Sequence, residues 1–346
     1  MNDAAYNEEF TMRSAWLRRS VLMLGCLAFA SSVCAQTRIK FATIAPKGTS
    51  PVKAMEKLTA GLKERSNGQL QLKVYPGAVA GDELEVLRKI KMGQIHAAGF
   101  TGVGFGEILP EVRVLDVPFL FSSYEEVDFV HEALFAHFAE RFQEQGFVLL
   151  AWAEVGFVHL YSKRRIGKPA DMRSLKPWSW AGDPIAEATL KHLGATPIAL
   201  PVTDVLTGLQ TGMVDTVYAH PVGCVGLQWF TKVSTMSQIP LTHSTGAVLI
   251  KKSVFDSLKP QLQGILLDET QKEMARLTEI TRKENEEAVV QIEGAGVKSV
   301  PFSDKEAFLE AGRKTRDALT DSVYPKELLD RVMGLLQEFR DKEKQP

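Results

Sequence analysis

From Arg38 to Phe100 the chain alternates extended and helical patterns, and this alternation constrains the fold more than any other feature. Arg38 to Ile44 alternate as a strand, and Ser50-Pro51 then offers a cap followed by proline at the first helical position. Val52, Met55, Leu58 and Leu62 recur at helical spacing, and Asn67-Gly68 closes that helix. Leu70, Leu72 and Val74 form a second strand, Pro76-Gly77 turns the chain, and Asp82 caps a helix carrying Leu84, Leu87 and Ile90. Ile95 to Phe100 read as a third strand. A βαβαβ start of this kind implies a parallel sheet covered by helices, with right-handed crossovers. Ligands of such sheets bind at the carboxyl ends of the strands, which here brings in Ala45, Phe100 and Thr101.

The stretch from Phe147 to about His243 repeats the style. Strands are expected near Val148 to Phe157, His159 to Ser162 and Thr216 to Tyr218, and helices at Pro184 to His192 and Asp204 to Gly212. A second α/β unit follows from this. Apolar residues then recur from Leu262 through Leu266, Met274, Leu277 and Ile280 to Val289, a span too long for most single-domain helices and suited to bridging two domains.

Arg13, Arg18 and Arg19 precede an apolar run from Val21 to Ala30 and small residues ending Val33-Cys34-Ala35, the pattern of a secretory leader cleaved after Ala35. The run is far below the roughly 18 residues of a membrane span. Asp3, Glu8 and Glu9 suit such a leader poorly and point to Met12 as the initiator. With Cys26 and Cys34 in the leader, Cys224 stands alone in the mature chain, which must fold without an internal disulfide; about 310 residues bury enough core for that. A formal net charge of -1 with no basic patch argues against nucleic acid.

Positive signals for catalysis are missing. Gly102-Val103-Gly104-Phe105-Gly106 follows a strand but lacks dinucleotide-loop spacing, and reads as a ligand-facing loop. His96, His131, His137, His159, His192, His220 and His243 are scattered without metal-ligand spacing, and Cys224 has no nucleophile signature. No cofactor is expected. Aromatic residues near strand ends are more suggestive: Phe100, Trp152, Phe157, Trp178, Trp180 and Tyr218. Trp178 and Trp180 share a face if that segment is a strand, and Ser179, Gly182 and Asp183 beside them argue against full burial. Asp183 before Pro184 reads as an N-cap, with a ligand contact as the alternative.

Several landmarks in order make the mature chain resemble the solute-binding proteins of tripartite ATP-independent periplasmic (TRAP) transporters, the family of the dicarboxylate receptors. They are QLQLKVYPGAVAGDELEVLRKIKMGQIHAAG (residues 69–99), LDVPFLF (115–121), ADMRSLKPW (170–178) and GLQTGMVD (208–215). The resemblance implies a two-lobed α/β fold, each lobe a mixed sheet flanked by helices, with a long helix across both. It places lobe I at 36–155 and 244–283, and lobe II at 156–243 with the C-terminal helices of 284–346. It also implies a periplasmic receptor, not an enzyme, that closes on a small organic solute, an organic acid by family default, and delivers it to TRAP permease subunits. A receptor for an ATP-driven importer, a sensor-coupled receptor and an exported enzyme on a related scaffold are the alternatives.

Departures from the family pattern are as informative. Where the resemblance implies an arginine that grips the ligand carboxylate, this chain has Trp178; a second arginine position falls at Val158, and a frequent glutamate at Tyr218. A buried carboxylate without a charged partner is costly. Substitute donors could be His159, His220, the backbone N–H groups of Pro184-Ile185-Ala186, which include no proline N–H, or a Lys or Arg that the sequence does not place. Trp178, Trp180, Phe157 and Tyr218 are therefore expected to wall an aromatic pocket, with His159, His220, Phe100, Thr101, Ala45 and Asp183 as further contacts.

Overall fold

The computed structural model describes residues 36–344; the expected leader, with Cys26, Cys34 and Met12, lies outside them. The strands are β1 (Thr37–Ala42), β2 (Leu70–Tyr75), β3 (Ala97–Thr101), β4 (Phe147–Ser162), β5 (Trp178–Trp180), β6 (Ile198–Leu200), β7 (Thr216–Ala219), β8 (Thr235–Ser237), β9 (Thr242–Lys251) and β10 (Lys298–Val300). The helices are α1 (Ser50–Arg65), α2 (Glu83–Lys91), α3 (Gly102–Gly106), α4 (Tyr124–Glu144), α5 (Pro184–His192), α6 (Val205–Thr211), α7 (Pro221–Gly226), α8 (Lys252–Asp256), α9 (Pro260–Gly294), α10 (Lys305–Leu319) and α11 (Lys326–Glu343). No helix among the described residues is long and apolar enough to cross a membrane.

One hydrogen-bonded sheet runs β10-β8-β4-β9-β3-β1-β2, with β7 also on β4, and β5 and β6 form a separate parallel pair. β1 and β3 are parallel as the sequence implies, but β9 enters antiparallel to both β3 and β4, so the sheet is mixed. The expected separate strands at 148–157 and 159–162 are one strand, β4. Its pairing with β9 shifts register between Glu154 and Gly156, where Gly156 takes φ +115°. That bulge bends the strand without ending it.

Both faces of the first half of the sheet are covered, which is why β9 carries the unbroken apolar run Ala247, Val248, Leu249, Ile250. Met55, Leu58 and Leu62 of α1 and Leu262 and Leu266 of α9 pack on one face. Val127 and Phe138 of α4 with Val332 and Leu336 of α11 pack on the other. The 35-residue α9 continues past β4 to α7, ending with Ile292 in a third core around Trp178, Val205 and Trp229. The C-terminal helices diverge: α10 packs on α5, whereas α11 returns to α4, where Arg340 Nε meets Glu126 Oε1 at 2.6 Å.

Local caps explain the helix starts. Asp82 Oδ1 accepts the Glu83 N–H at 2.7 Å, as its position predicts. Ser50 does not cap α1; Thr49 holds the cap position without a side-chain bond, and the Ser50 hydroxyl donates instead to Glu284 of α9. The glycines of residues 102–106 form α3 and not a loop. A Cβ at Gly102 would strike Asp116 and one at Gly106 would strike Arg113, so they admit the three-ten helix Pro110–Asp116 at close range.

Candidate functional site

A cavity of about 140 Å³ lies where β5, the α5 start, β7 and β4 face α3 and the three-ten helix Pro110–Asp116. Its wall is aromatic because β5 puts both tryptophans on one side. Trp178 stacks on Tyr218 (centroids 4.8 Å, interplanar 20°) and meets Trp229 edge-on at 5.1 Å and Trp180 at 6.0 Å. Trp178 Nε1 donates to the Leu200 carbonyl of β6 at 3.0 Å, and Trp180 Nε1 donates to Asp82 Oδ2 at the start of α2, also at 3.0 Å. Trp178 is only 1% exposed, against the expectation from its neighbours: Ser179 and Asp183 are buried with it, and only Gly182 of the three is exposed.

Asp183 organises the polar side. Its Oδ1 accepts the Ile185 and Ala186 N–H groups at 3.1 and 3.2 Å, capping α5, and its Oδ2 accepts the Tyr218 hydroxyl at 3.0 Å. The Trp180 N–H donates to that same hydroxyl at 3.0 Å. The helix-start N–H groups considered as substitute donors are thus already taken by Asp183. Burial and the Asp183 charge hold the Tyr218 phenol well above its usual range, so it stays a donor.

One cation that the sequence did not place, Arg113, lines the cavity. Its Nη2 donates to Asp183 Oδ1 at 2.7 Å and its Nε lies 2.9 Å from Asp116 Oδ2. Asp116 Oδ1 accepts the Thr245 N–H of β9 at 3.0 Å. Burial opposes the Arg113 charge, but the carboxylates of Asp183 and Asp116 outweigh it and hold the guanidinium more firmly protonated. Burial pushes the Asp116 carboxyl up to about 6 against the pull of Arg113. The sequence offered one signal for this pair, Arg113 three residues before Asp116 beside LDVPFLF, but nothing there showed that both turn inward.

Of the residues singled out from sequence, Trp178, Trp180, Tyr218, His220, Asp183 and Thr101 line this cavity. Phe100, Ala45, Thr101 and His220 line a second cavity of about 340 Å³ against α1 and α9, and Thr101, Val202 and His220 are among the residues it shares with the first. Phe157 and His159 line neither: Phe157 packs on Tyr124 at 4.9 Å and His159 Nδ1 bonds the Ser237 carbonyl at 2.7 Å. Strand alternation is the reason, because Val158 and Leu160 point into the first cavity and turn their neighbours away. Burial pushes the His220 imidazole down to about 4, leaving it neutral at pH 7, and likewise lowers His159. Among the described residues no group of three or more His, Cys, Asp or Glu could hold a metal, and burial raises the Cys224 thiol far above its usual range.

The model of the bacterial extracellular solute-binding protein family 7 (DctP) matches residues 41–325. The chain belongs to this family. Among its relatives, the 2,3-diketo-L-gulonate-binding periplasmic protein YiaO of Escherichia coli is 28% identical over 88% of this chain and 93% of its own length. The C4-dicarboxylate-binding periplasmic protein DctP of Rhodobacter capsulatus is 25% identical over 75% and 78%. In fold, the chain matches the galactonate complex of the sugar acid binding protein DctPAm from Advenella mimigardefordensis (TM-score 0.83, 20% identity, 88% of this chain and 99% of that one). It also matches a TRAP periplasmic solute binding protein from Citrobacter koseri with bound D-glucuronate (TM-score 0.79, 24% identity, 86% and 99%). Trp178, Val158 and Tyr218, where the sequence led us to expect departures from the pattern of related receptors, all line the first cavity.

Proposed function

We propose that this chain is an extracytoplasmic receptor that closes on one compact organic solute and delivers it to TRAP-type membrane permease subunits. The observation that carries the reading is the cavity walled by Trp178, Trp180 and Tyr218 and spanned by bonds between segments far apart in sequence, Arg113 to Asp183 and Trp180 to Asp82. Such a cavity suits capture, because solute contacts made from both sides favour the closed state. In this reading residues 36–155 and 244–283 form one lobe and 156–243 with the following chain the other, with α11 returning to the first. The leader directs export to the periplasm and is cleaved after Ala35.

The relatives' names speak of organic acids, which makes an organic acid the starting class for the solute. The site residues are Trp178, Trp180, Tyr218, His220, Asp183 and Thr101, joined by Arg113 and Asp116, with Phe100 and Ala45 in the adjoining cavity. Trp178 and Trp180 report on their own site. Titration of the mature protein with organic solutes, followed by tryptophan fluorescence, should show a saturable change for one chemical class. A flat response across acids, amines and neutral compounds would contradict a receptor role.

A further inference from the structure

His220 stands where the two cavities meet and lines both. It follows β7 and precedes α7, and its ring lies over Gly223, where a Cβ would come within 2.5 Å of the ring Cε1. The rings of His96, His131, His159, His192 and His243 are each held by a hydrogen bond within the protein. Among the described residues the His220 ring has no such partner. Most other polar side chains of the first cavity are engaged. Thr101 Oγ1 donates to Glu83 at 3.1 Å, Thr189 Oγ1 to the Ile185 carbonyl at 2.6 Å and Thr242 Oγ1 to the Asp116 carbonyl at 2.7 Å. Tyr218 and Arg113 are held by Asp183 and Asp116. A solute rich in hydroxyl groups would find few partners there, and each buried group left unmet is costly.

Charge sets a second limit. Arg113 is the lone Lys or Arg in either lining among the described residues, and it already faces two carboxylates. In the second lining Glu154 is matched by Arg282 and His243, Glu83 accepts the Thr101 and Gly104 N–H groups, and Glu284 accepts the Ser50 hydroxyl. With no free cation, two carboxylates on one solute could not both be balanced. One can be, because a carboxylate beside His220 favours the charged imidazole, which takes its proton from solvent. Burial otherwise keeps the ring neutral, pushed down to about 4, while the nearby charges of Glu154 and His243 act on it in opposite senses.

We propose that His220 anchors the carboxylate of the solute, and that the solute is a compact monocarboxylic acid whose apolar body lies against Trp178 and Trp180 in the first cavity. The proposal rests on the receptor reading and narrows its organic-acid class. A dicarboxylate brings one charge too many, and a sugar acid brings hydroxyl groups that the lining does not meet. The cavity volume of about 140 Å³ is close to one that accepts a single benzene ring, so a ring-sized body fits.

The test is a calorimetric titration of the mature protein at pH 7 with phenylacetate, its uncharged analogue phenylacetamide, succinate and glucuronate. Phenylacetate should bind at least about tenfold tighter than each of the others. His220→Gln leaves no partner unsatisfied and keeps a polar side chain, yet it should bring phenylacetate down to the level of the amide. Gly223→Ala, which displaces the ring without removing it, should weaken phenylacetate in the same direction and serves alone if the first variant does not fold. Nitrogen-15 NMR of labelled histidine should show one ring gaining a proton on saturation with phenylacetate, and that signal should be absent from His220→Gln. If succinate or glucuronate binds as well as or better than phenylacetate, the apolar monocarboxylate falls and the receptor reading stands. If the preference for acid over amide survives in both variants, His220 is not the anchor. If none of the four binds, the proposal falls, and the receptor reading is decided separately by the wider fluorescence titration.

Discussion

Arg113 Nη2 lies 2.7 Å from Asp183 Oδ1, both side chains are buried, and the bond joins the three-ten helix that follows α3 to the cap of α5. The segment from Trp178 to Asp183 grips the facing wall, through Asp183 to Arg113 and through Trp180 to Asp82.

Replacing Arg113 by Met leaves Asp116 and Asp183 buried without their cation. Urea unfolding at pH 8 should show a loss of about 3–5 kcal/mol, the range for breaking a buried pair from one side. The deficit should shrink at pH 5. Asp116 already titrates at about 6, raised above its unfolded value by burial, and loss of Arg113 raises it further. Stability from a raised carboxyl is present at low pH and lost as pH rises through the folded pKa. An equal deficit at both pH values would contradict this.

Trp178→Ala removes the stack on Tyr218 and the edge contact to Trp229. Unfolding free energy should fall by about 3–5 kcal/mol. Affinity for whatever solute the wild type retains should fall at least tenfold, and Trp178→Phe should recover part of both. Unchanged affinity in a folded Trp178→Ala protein would remove the aromatic wall from the site.

The framework of this fold was legible because its signals are local. The apolar spacing of α1, the Asp82 cap and the 35-residue α9 depend only on neighbouring residues. The family landmarks also lie in short stretches, as in LDVPFLF. What sequence did not reveal depends on partners far along the chain. Arg113 and Asp183 are 70 residues apart, and neither spacing nor composition shows that they meet. Phe157 and His159 line neither cavity for a smaller reason: past the register shift at Gly156, strand alternation turns Val158 and Leu160 inward and their neighbours away.

Glu83 should titrate far from other glutamates. Burial pushes its carboxyl up to about 7, although the Thr101 N–H at 2.8 Å and the Gly104 N–H at 2.7 Å favour the charged form. Its contribution to stability is present below about pH 4.5 and lost as pH rises through about 7. Carbon-13 NMR of labelled glutamate carboxyls should show one resonance with a midpoint near 7. A full set of midpoints below 5 would contradict the buried placement.

Gly156→Ala tests the bulge. At φ +115° an L side chain is strained, and the new Cβ would collide with the Asn285 amide, which donates to the Val155 carbonyl at 3.1 Å. Asn285 Oδ1 also accepts the Val222 N–H of α7 at 3.0 Å, so the substitution should loosen α9 from both elements. The expected loss is about 1–3 kcal/mol, read by urea unfolding, with faster amide exchange at Val222. A variant as stable as the wild type would show that the bulge tolerates a side chain.

The most direct measurement of the central claim is native mass spectrometry of the gently purified mature protein, with identification of the solute it retains. One compact organic solute, bound one per chain and lost from the Trp178→Ala protein, is the expected result. A solute retained equally by that variant would contradict it.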